Sequence, residues 1–512
     1  MDQYFLGIDV GTYESRGILL NNNFEIIADC SVSHSMINPK AGWFEHDAEK
    51  DWWGDFCKLS REILKVSGIN PKEIAGIGAS TLGTDCLPVD ENCRPLRNAI
   101  LYGIDARSAE EIKLLNKYYG AEKVRKLFGH PICSGDTATK ILWVRRNEPE
   151  IYSKTYKFLT GSSYITAKLT GEYVIDQFLA KGSFRPLYNK DGSINETESG
   201  IYCDPSKLCK TAFSTEVVGH VTPEAAEDTG LAEGTPVIAG TGDSTAESIS
   251  AGLIQPGTVF FQFGSSMFFY YLTDVQINDF ESENGNGKLK SGKEFTIPGT
   301  FCLGDGTNAA GTLTRWVRNT FYSEELEKEN NGGENAYTVM ASEAAETDPG
   351  SDGLIILPYI YGERSPIQDP DAKGIVFGLK GGHTRKHINR AALEGIGYSV
   401  YQHLLLFKEM NIPPKEIIVA GGGTKNETWM QIVCDMAGMP VSIRKPCCCS
   451  ALGDAMLAAL GIGRLKDFKD LKNNLPEGRT ILPNEKNHKY YIDHYKIYRD
   501  LYLKTRDLMH LF

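Results

Sequence analysis

The chain has 512 residues, 41% of them hydrophobic and 23% charged, and its 54 Lys and Arg against 66 Asp and Glu leave a net charge of −12. Such a chain buries a large core without metal or disulfide staples, and its acidic balance argues against nucleic acid as a main partner, because phosphate backbones select basic surfaces. No run of about 18 apolar residues occurs, so no membrane span is expected, and the opening residues lack the basic and apolar regions of a secretory signal.

The twelve cysteines are scattered apart from Cys447-Cys448-Cys449, with no Cys-x-x-Cys pair near a second one, and the histidines lack zinc-ligand spacing. Free thiols in a reducing cytoplasm are therefore expected.

Tyr4 to Val10 predicts a short buried strand; Gly11-Thr12 breaks it, and Ser15 to Leu20 resumes an extended pattern, so a hairpin opens the chain. Residues 47–66 carry Trp52, Trp53, Phe56, Leu59, Ile63 and Leu64 at helical spacing. Ile74 to Ala79 predicts a strand that ends in the small-residue loop Ser80 to Asp85, and residues 108–128 and 137–152 predict helices. Strands alternating with helices indicate an α/β architecture.

The pattern then starts again. Thr235 to Ala239 predicts a strand before the loop Gly240-Thr241-Gly242-Asp243, and Thr258 to Phe263 predicts another before the turn Gly264-Ser265-Ser266 and a returning strand, Met267 to Leu272. The second hairpin mirrors the first, so two domains of similar plan are expected, residues 1–247 and 248–512. Residues 275–295 and 327–335 are polar and predict exposed loops. Ile417 to Ala420 predicts a late strand before three glycines, and residues 488–511 a C-terminal helix.

Four glycine-rich loops carry the candidate chemistry. In Gly7-Ile8-Asp9-Val10-Gly11-Thr12 a carboxylate at a strand end precedes a turn whose backbone N–H groups can approach phosphate oxygens. Taken alone, this is also what a plain hairpin looks like. Asp243 follows Gly240-Thr241-Gly242 at the expected start of a helix, next to exposed N–H donors, where the plain alternative is a helix N-cap. The turn Phe263-Gly264-Ser265-Ser266 is a second phosphate candidate, and Gly421-Gly422-Gly423 leaves a flat surface for a base or ribose. No Walker-type Gly-x-x-x-x-Gly-Lys loop occurs, and Thr245 stands where a dinucleotide fingerprint needs its third glycine.

Together these loops resemble the FGGY family of carbohydrate kinases, in the actin-like ATPase superfamily. The segment Gly135 to Asn147, GDTATKILWVRRN, is similar to the family's first signature around Lys140 and Trp143. The segment Gly374 to Glu394, GIVFGLKGGHTRKHINRAALE, is similar to its second, and Gly362-Glu363-Arg364-Ser365-Pro366 to a further family element. The resemblance implies two ribonuclease-H-like domains flanking a deep cleft, the N-terminal one binding sugar and the C-terminal one nucleotide. It implies ATP and Mg2+ as cofactors. It makes Asp243 the catalytic base and Asp9 the essential aspartate beside the metal, held through water, with Gly11 and Thr12 as the phosphate turn. Gly264 and Ser265 become the second phosphate turn, and Gly311, Gly422, Gly423 and Asn426 the nucleotide contacts. Thr81 and Leu82 fall in the sugar-facing loop 80–84, and Asp105 and Arg107 in a second sugar-facing segment, Tyr102 to Arg107.

Within the family the chain is most similar to xylulose kinases, which makes D-xylulose the expected substrate. It departs from them at Thr81-Leu82, where they carry Met-His, and at Leu101 to Arg107, where they carry Trp-Asn-Asp-Gly-Arg. Ribulose, fuculose, gluconate, glycerol and erythritol are the alternatives. Trp52 and Trp53 read as core or cleft-wall aromatics, Lys140 and Trp143 as structural, and His383 and His387 as surface residues; Asp105 and Arg107 fit sugar contacts or a local ion pair equally. The expected partners are sugar and ATP, with no nucleic acid and no membrane, and a homodimer is left open. A sugar-binding regulator without turnover is the rival reading, and the presence of both Asp9 and Asp243 counts against it.

Overall fold

Strand Tyr4–Val10 turns and returns as Glu14–Leu20, and the turn is closed by the N–H of Gly11 donating to the Glu14 carbonyl at 3.1 Å. The computed structural model that contains this hairpin describes residues 3–445 and 448–511. These form two compact units. One comprises Met1–Ile254, Lys293–Gly299 and Cys447–Leu475, the other Gln255–Gly292, Thr300–Pro446 and Pro476–Phe512. Neither unit is one continuous stretch: the helix Ser450–Gly461 lies late in the sequence yet belongs to the first unit.

The first unit is built on a seven-stranded sheet. Its order is Val217–His220, Pro236–Ile238, Ile74–Thr81, Tyr4–Val10, Glu14–Leu20 and Ile26–Ser33, with Thr241–Gly242 also pairing with Ile74–Thr81. The opening hairpin and the strand after it are antiparallel, whereas Ile74–Thr81 joins Tyr4–Val10 in parallel. Both faces are covered, so the central strands read as nearly continuous apolar runs rather than alternating ones. Helix Gly54–Ser67 packs over Gly17 on one face, through Leu59 and Ile63.

Glycines decide the other face. Gly7 and Gly78 are register partners, and a Cβ on either would meet the backbone of helix Ser450–Gly461, at 2.0 Å from the Ala451 oxygen and 2.5 Å from the Asp454 oxygen. Only residues without a side chain let this helix lie directly on the sheet. Because strand side chains alternate between faces, Asp9 and Ser80, two residues beyond each glycine, point to the same side as the helix.

The second unit repeats the plan. Phe301–Thr307, Met267–Thr273 and Thr258–Phe263 are antiparallel neighbours; Glu416–Ala420 and Val441–Ile443 continue in parallel, and Arg479–Ile481 closes the edge antiparallel. Helix Arg385–Glu409 crosses its core, and helix Glu485–Met509 lays Tyr491, Tyr495, Tyr498 and Tyr502 into it. Three antiparallel strands followed by parallel ones, with helices on the faces, is the ribonuclease-H-like arrangement, present in each unit.

Several local expectations are corrected. Residues 275–295 are not simply an exposed loop: Ile277, Asn286 and Leu289 are buried, and Asn286 accepts a hydrogen bond from Tyr495 Oη at 2.7 Å. Residues 137–152 form two helices, Thr137–Asn147 and Pro149–Lys154, because Pro149 lacks an N–H to continue the first. Helix Ser323–Asn330 runs into the stretch 327–335. The His383 side chain is 1% exposed rather than on the surface, and its Nδ1 accepts from the Lys380 N–H. None of the eleven described cysteines is in a disulfide, whereas Cys447 lies outside the described residues. Among the described residues no helix is long and apolar enough to cross a membrane.

Candidate active site

In the first unit the strand register gathers the carboxylates. Asp9 pairs with Ser80, and Thr241 and Gly242 pair with Ser80 and Thr81, so Asp243 begins its helix, Asp243–Ala251, beside the end of the same strand. Gly83 of the loop after that strand, at φ +77°, approaches the Gly242 Cα. The Ser80 hydroxyl lies 3.0 Å from Asp9 Oδ1 and 2.6 Å from Asp454 Oδ2.

Burial sets the proton affinities here. It pushes Asp243 up to about 6, against a 2.6 Å hydrogen bond from the Ser244 N–H. Asp9 is raised well above the carboxylate range by burial, then by the charges of Asp243 and Glu247, while the Ser80 and Ser450 hydroxyls pull it back. Asp454 is raised in the same way, by burial and then by Asp9. Thr241 Oγ1 donates to Asp176 Oδ2 at 2.7 Å, and burial holds Asp176 at about 7.

The turn Gly11-Thr12 is braced from below. His34 Nε2 donates to the Gly11 carbonyl and His46 Nε2 to the Thr12 carbonyl, both at 3.1 Å. His34 Nδ1 rests 2.9 Å from Asp55, which also takes the Ser15 hydroxyl. Burial works against the His34 cation, yet the Asp55 bond and charge raise it, whereas burial drives His46 down to about 4. The completely buried Trp52 donates its Nε1–H to His46 Nδ1 at 3.1 Å, so it is a core aromatic.

The proposed sugar-facing residues differ in what they expose. Thr81 is buried, and its hydroxyl accepts the Ser162 N–H at 2.9 Å; Leu82 is half-buried and packs on the core. Arg107 forks onto Asp105 at 2.9 and 2.8 Å, reaches Glu45 at 2.8 Å and stacks over Trp43 and Trp143. Asp105 also takes the Phe44 N–H at 2.6 Å. Both are buried in this network, which holds segment 101–107 in shape and accounts for Trp143 as a structural residue.

Two acidic residues of this region carry no weight in the sequence reading. Asp454 interrupts the otherwise apolar run SALGDAMLAALG, and a buried acid in such a helix is the signal that marks it. Asp85 closes the loop that begins at Ser80; burial lifts it to about 8 against the pull of the Lys140 ammonium. Lys140 is itself fully buried and donates to the Ser134 carbonyl.

In the second unit the glycine loops meet at the ends of the parallel strands Thr258–Phe263 and Glu416–Ala420. The N–H of Gly311, first residue of helix Gly311–Phe321, donates to the Gly264 carbonyl at 3.0 Å, and a Cβ on Gly311 would stand 2.6 Å from that oxygen. The Ser265 carbonyl takes both the N–H and the hydroxyl of Thr312. Gly421, at φ +93°, passes close to Phe263, and Gly423 is confined between Phe263 and Trp429. Gly422 faces open space, and Asn426 caps the next helix through the Trp429 N–H at 3.0 Å.

Two domain models of a single family match successive stretches of the sequence. Residues 4–250 fit the N-terminal domain of the FGGY family of carbohydrate kinases, and residues 260–462 its C-terminal domain. The chain belongs to the FGGY family of carbohydrate kinases. It is 29% identical over 510 residues to a xylulose kinase of Bacillus subtilis (strain 168), covering 99% of this chain and 98% of that one. It is also 29% identical over 500 residues to the gluconokinase of the same strain, covering 96% and 94%. The crystal structure of a xylulose kinase from Rhodospirillum rubrum has a TM-score of 0.87 to this chain at 26% identity, covering 99% of this chain and all of that one.

Proposed function

We propose that this carbohydrate kinase transfers the γ-phosphoryl group of ATP to a hydroxyl of a five-carbon ketose, D-xylulose first, forming D-xylulose 5-phosphate. The observation that carries the reading is Asp243, which stands at a helix start beside the Ser80–Thr84 loop with its carboxyl pushed up to about 6. A base of that strength is mostly ionised at neutral pH and can still accept a proton in the transition state. The sugar oxygen forms the new bond to phosphorus, its proton passes to Asp243, and the departing ADP oxygen keeps the electron pair of the bond that breaks.

Magnesium fits the first unit's donor set, because Asp9, Glu247 and Asp243 offer oxygen alone, and the charges of Asp243 and Glu247 bear on Asp9. The ion is proposed to be held by Asp9 through water. When bound, magnesium offsets charge on the phosphate oxygens. The N–H groups of Gly11 and Gly264 close their own turns, so phosphate contacts at these turns fall to Thr12 and Ser265. Gly311, Gly422, Gly423 and Asn426 are proposed to receive the nucleoside, and loop 80–84 with segment 102–107 the sugar.

Whole-chain similarity to xylulose kinases supports xylulose, and the equal identity to a gluconokinase makes gluconate the second reading. The test is ADP release with D-xylulose, D-ribulose, L-ribulose, L-fuculose, gluconate, glycerol and erythritol under one set of conditions. A substrate exceeding xylulose in kcat/KM by about tenfold, ~1.4 kcal/mol of transition-state binding, overturns the xylulose reading. ADP release that no polyol or sugar stimulates overturns the transfer itself.

A further inference from the structure

Away from these loops, His130, Cys133 and Asp136 face one another in the connection between helices Ala109–Phe128 and Thr137–Asn147. Among the described residues this is the set of three His, Cys, Asp or Glu side chains whose ligand atoms all lie within 4.8 Å of one another. We propose that His130, Cys133 and Asp136 form a binding site for a divalent transition-metal ion of the zinc class.

The geometry favours a cation between His130 and Asp136. His130 Nδ1 lies 2.8 Å from the Pro131 carbonyl, which can only accept, so this nitrogen carries the hydrogen. In the neutral ring Nε2 then presents a lone pair to Asp136 Oδ1, 3.3 Å away. Two acceptors at that separation repel unless a proton or a metal ion lies between them. Nitrogen and oxygen ligands at ~2.0–2.1 Å from a tetrahedral zinc ion stand about 3.3–3.4 Å apart. The other carboxylate oxygen, Oδ2, takes the Cys133 N–H at 2.8 Å, which folds the thiol-bearing residue back toward the pair. Bonds of this outer kind orient metal ligands elsewhere in proteins.

The donor set selects the ion. Imidazole with thiolate suits zinc, cobalt or nickel and not magnesium or calcium, which prefer oxygen alone. Cys133 is exposed, so its side chain can rotate inward and a water can take the fourth position. The spacing His-x-x-Cys-x-x-Asp escapes a search for paired cysteines and histidines because its third ligand is a carboxylate. Occupancy would also stiffen this connection where it touches a neighbour: Ser134 Oγ donates to the Gly103 carbonyl at 2.6 Å.

Cobalt is the probe. The reduced full-length protein, stripped with chelator and then freed of it, is titrated with Co2+ without air. One equivalent is expected to produce a near-ultraviolet thiolate-to-cobalt band and the visible bands of a four-coordinate ion, both displaced by Zn2+. Cys133→Ser should lose the thiolate band with an unchanged melting temperature, and His130→Gln should weaken binding by about tenfold or more. Absence of a thiolate band in the wild-type protein at excess cobalt overturns the site, since a proton then fills the gap. A band that survives in Cys133→Ser overturns it as well, because the thiolate ligand then lies elsewhere.

Discussion

The hydroxyl of Ser80 lies 2.6 Å from the carboxylate of Asp454, across 374 positions of sequence. The same hydroxyl is 3.0 Å from Asp9, and one serine proton cannot serve two carboxylates at once. The remaining oxygen of Asp454, Oδ1, is buried without a hydrogen-bond partner. This concentration of unrelieved acid beside Asp9 is a cost to folding that a bound cation would offset.

Asp454→Asn keeps an acceptor for Ser80 and removes an ionisable group whose charged form burial and Asp9 oppose. Burial and Asp9 both disfavour the Asp454 carboxylate, so the neutral amide should raise the melting temperature, by about 1 °C for each kcal/mol relieved at ~2.1 cal/mol/K of unfolding entropy per residue. The magnesium concentration for half-maximal activity should rise too, because the field around Asp9 weakens. A less stable variant with an unaltered magnesium response would assign Asp454 to packing alone.

Asp243→Asn should lower kcat by about 10²–10⁴-fold while leaving nucleotide binding intact. Turnover assays and calorimetry with ADP measure the two separately. Wild-type-like turnover would remove Asp243 from the base role.

The pH dependence of activity should carry the same signature. With Asp243 at about 6, kcat/KM should fall about tenfold per unit as pH drops below that value, because the protonated carboxyl cannot accept a proton. A fall that starts only near pH 4, the ordinary aspartate range, would contradict the burial argument.

Asp85 predicts a trend in stability. Its carboxyl titrates at about 8 when folded and near 3.8 when free. Between those values the folded protein holds a proton that the unfolded chain has released. This contribution is therefore complete below about 4 and is lost as pH rises through about 8. Wild type should lose stability relative to Asp85→Asn by up to about 1.4 kcal/mol per pH unit across that window. Paired melts from pH 5 to pH 9 measure the trend, and a constant difference would refute it.

Gly422 has open space where a Cβ would be, unlike Gly421 and Gly423. Gly422→Trp should therefore fold normally and raise the KM for ATP several-fold more than that for sugar. An unchanged KM for ATP would move the nucleoside away from this loop.

The amino-acid sequence by itself determined the two hairpins and their turns, with Asp9 near the end of the first strand and Asp243 at the start of a helix. Each of these is written locally, in apolar runs broken by glycine, and the signature segments around Lys140 and Gly374–Glu394 marked the family. The tertiary structure alone decided that the helix Ser450–Gly461 joins the first unit and brings Asp454 to Ser80 and Asp9. That contact depends on Gly7 and Gly78 lacking side chains opposite a helix hundreds of residues away, and the absence of a Cβ leaves no periodic trace in sequence. The same holds for Asp105 and Arg107: their spacing allows either a sugar contact or an ion pair. Only the fold, by supplying Glu45, Trp43 and Trp143 around the guanidinium, turns them toward each other.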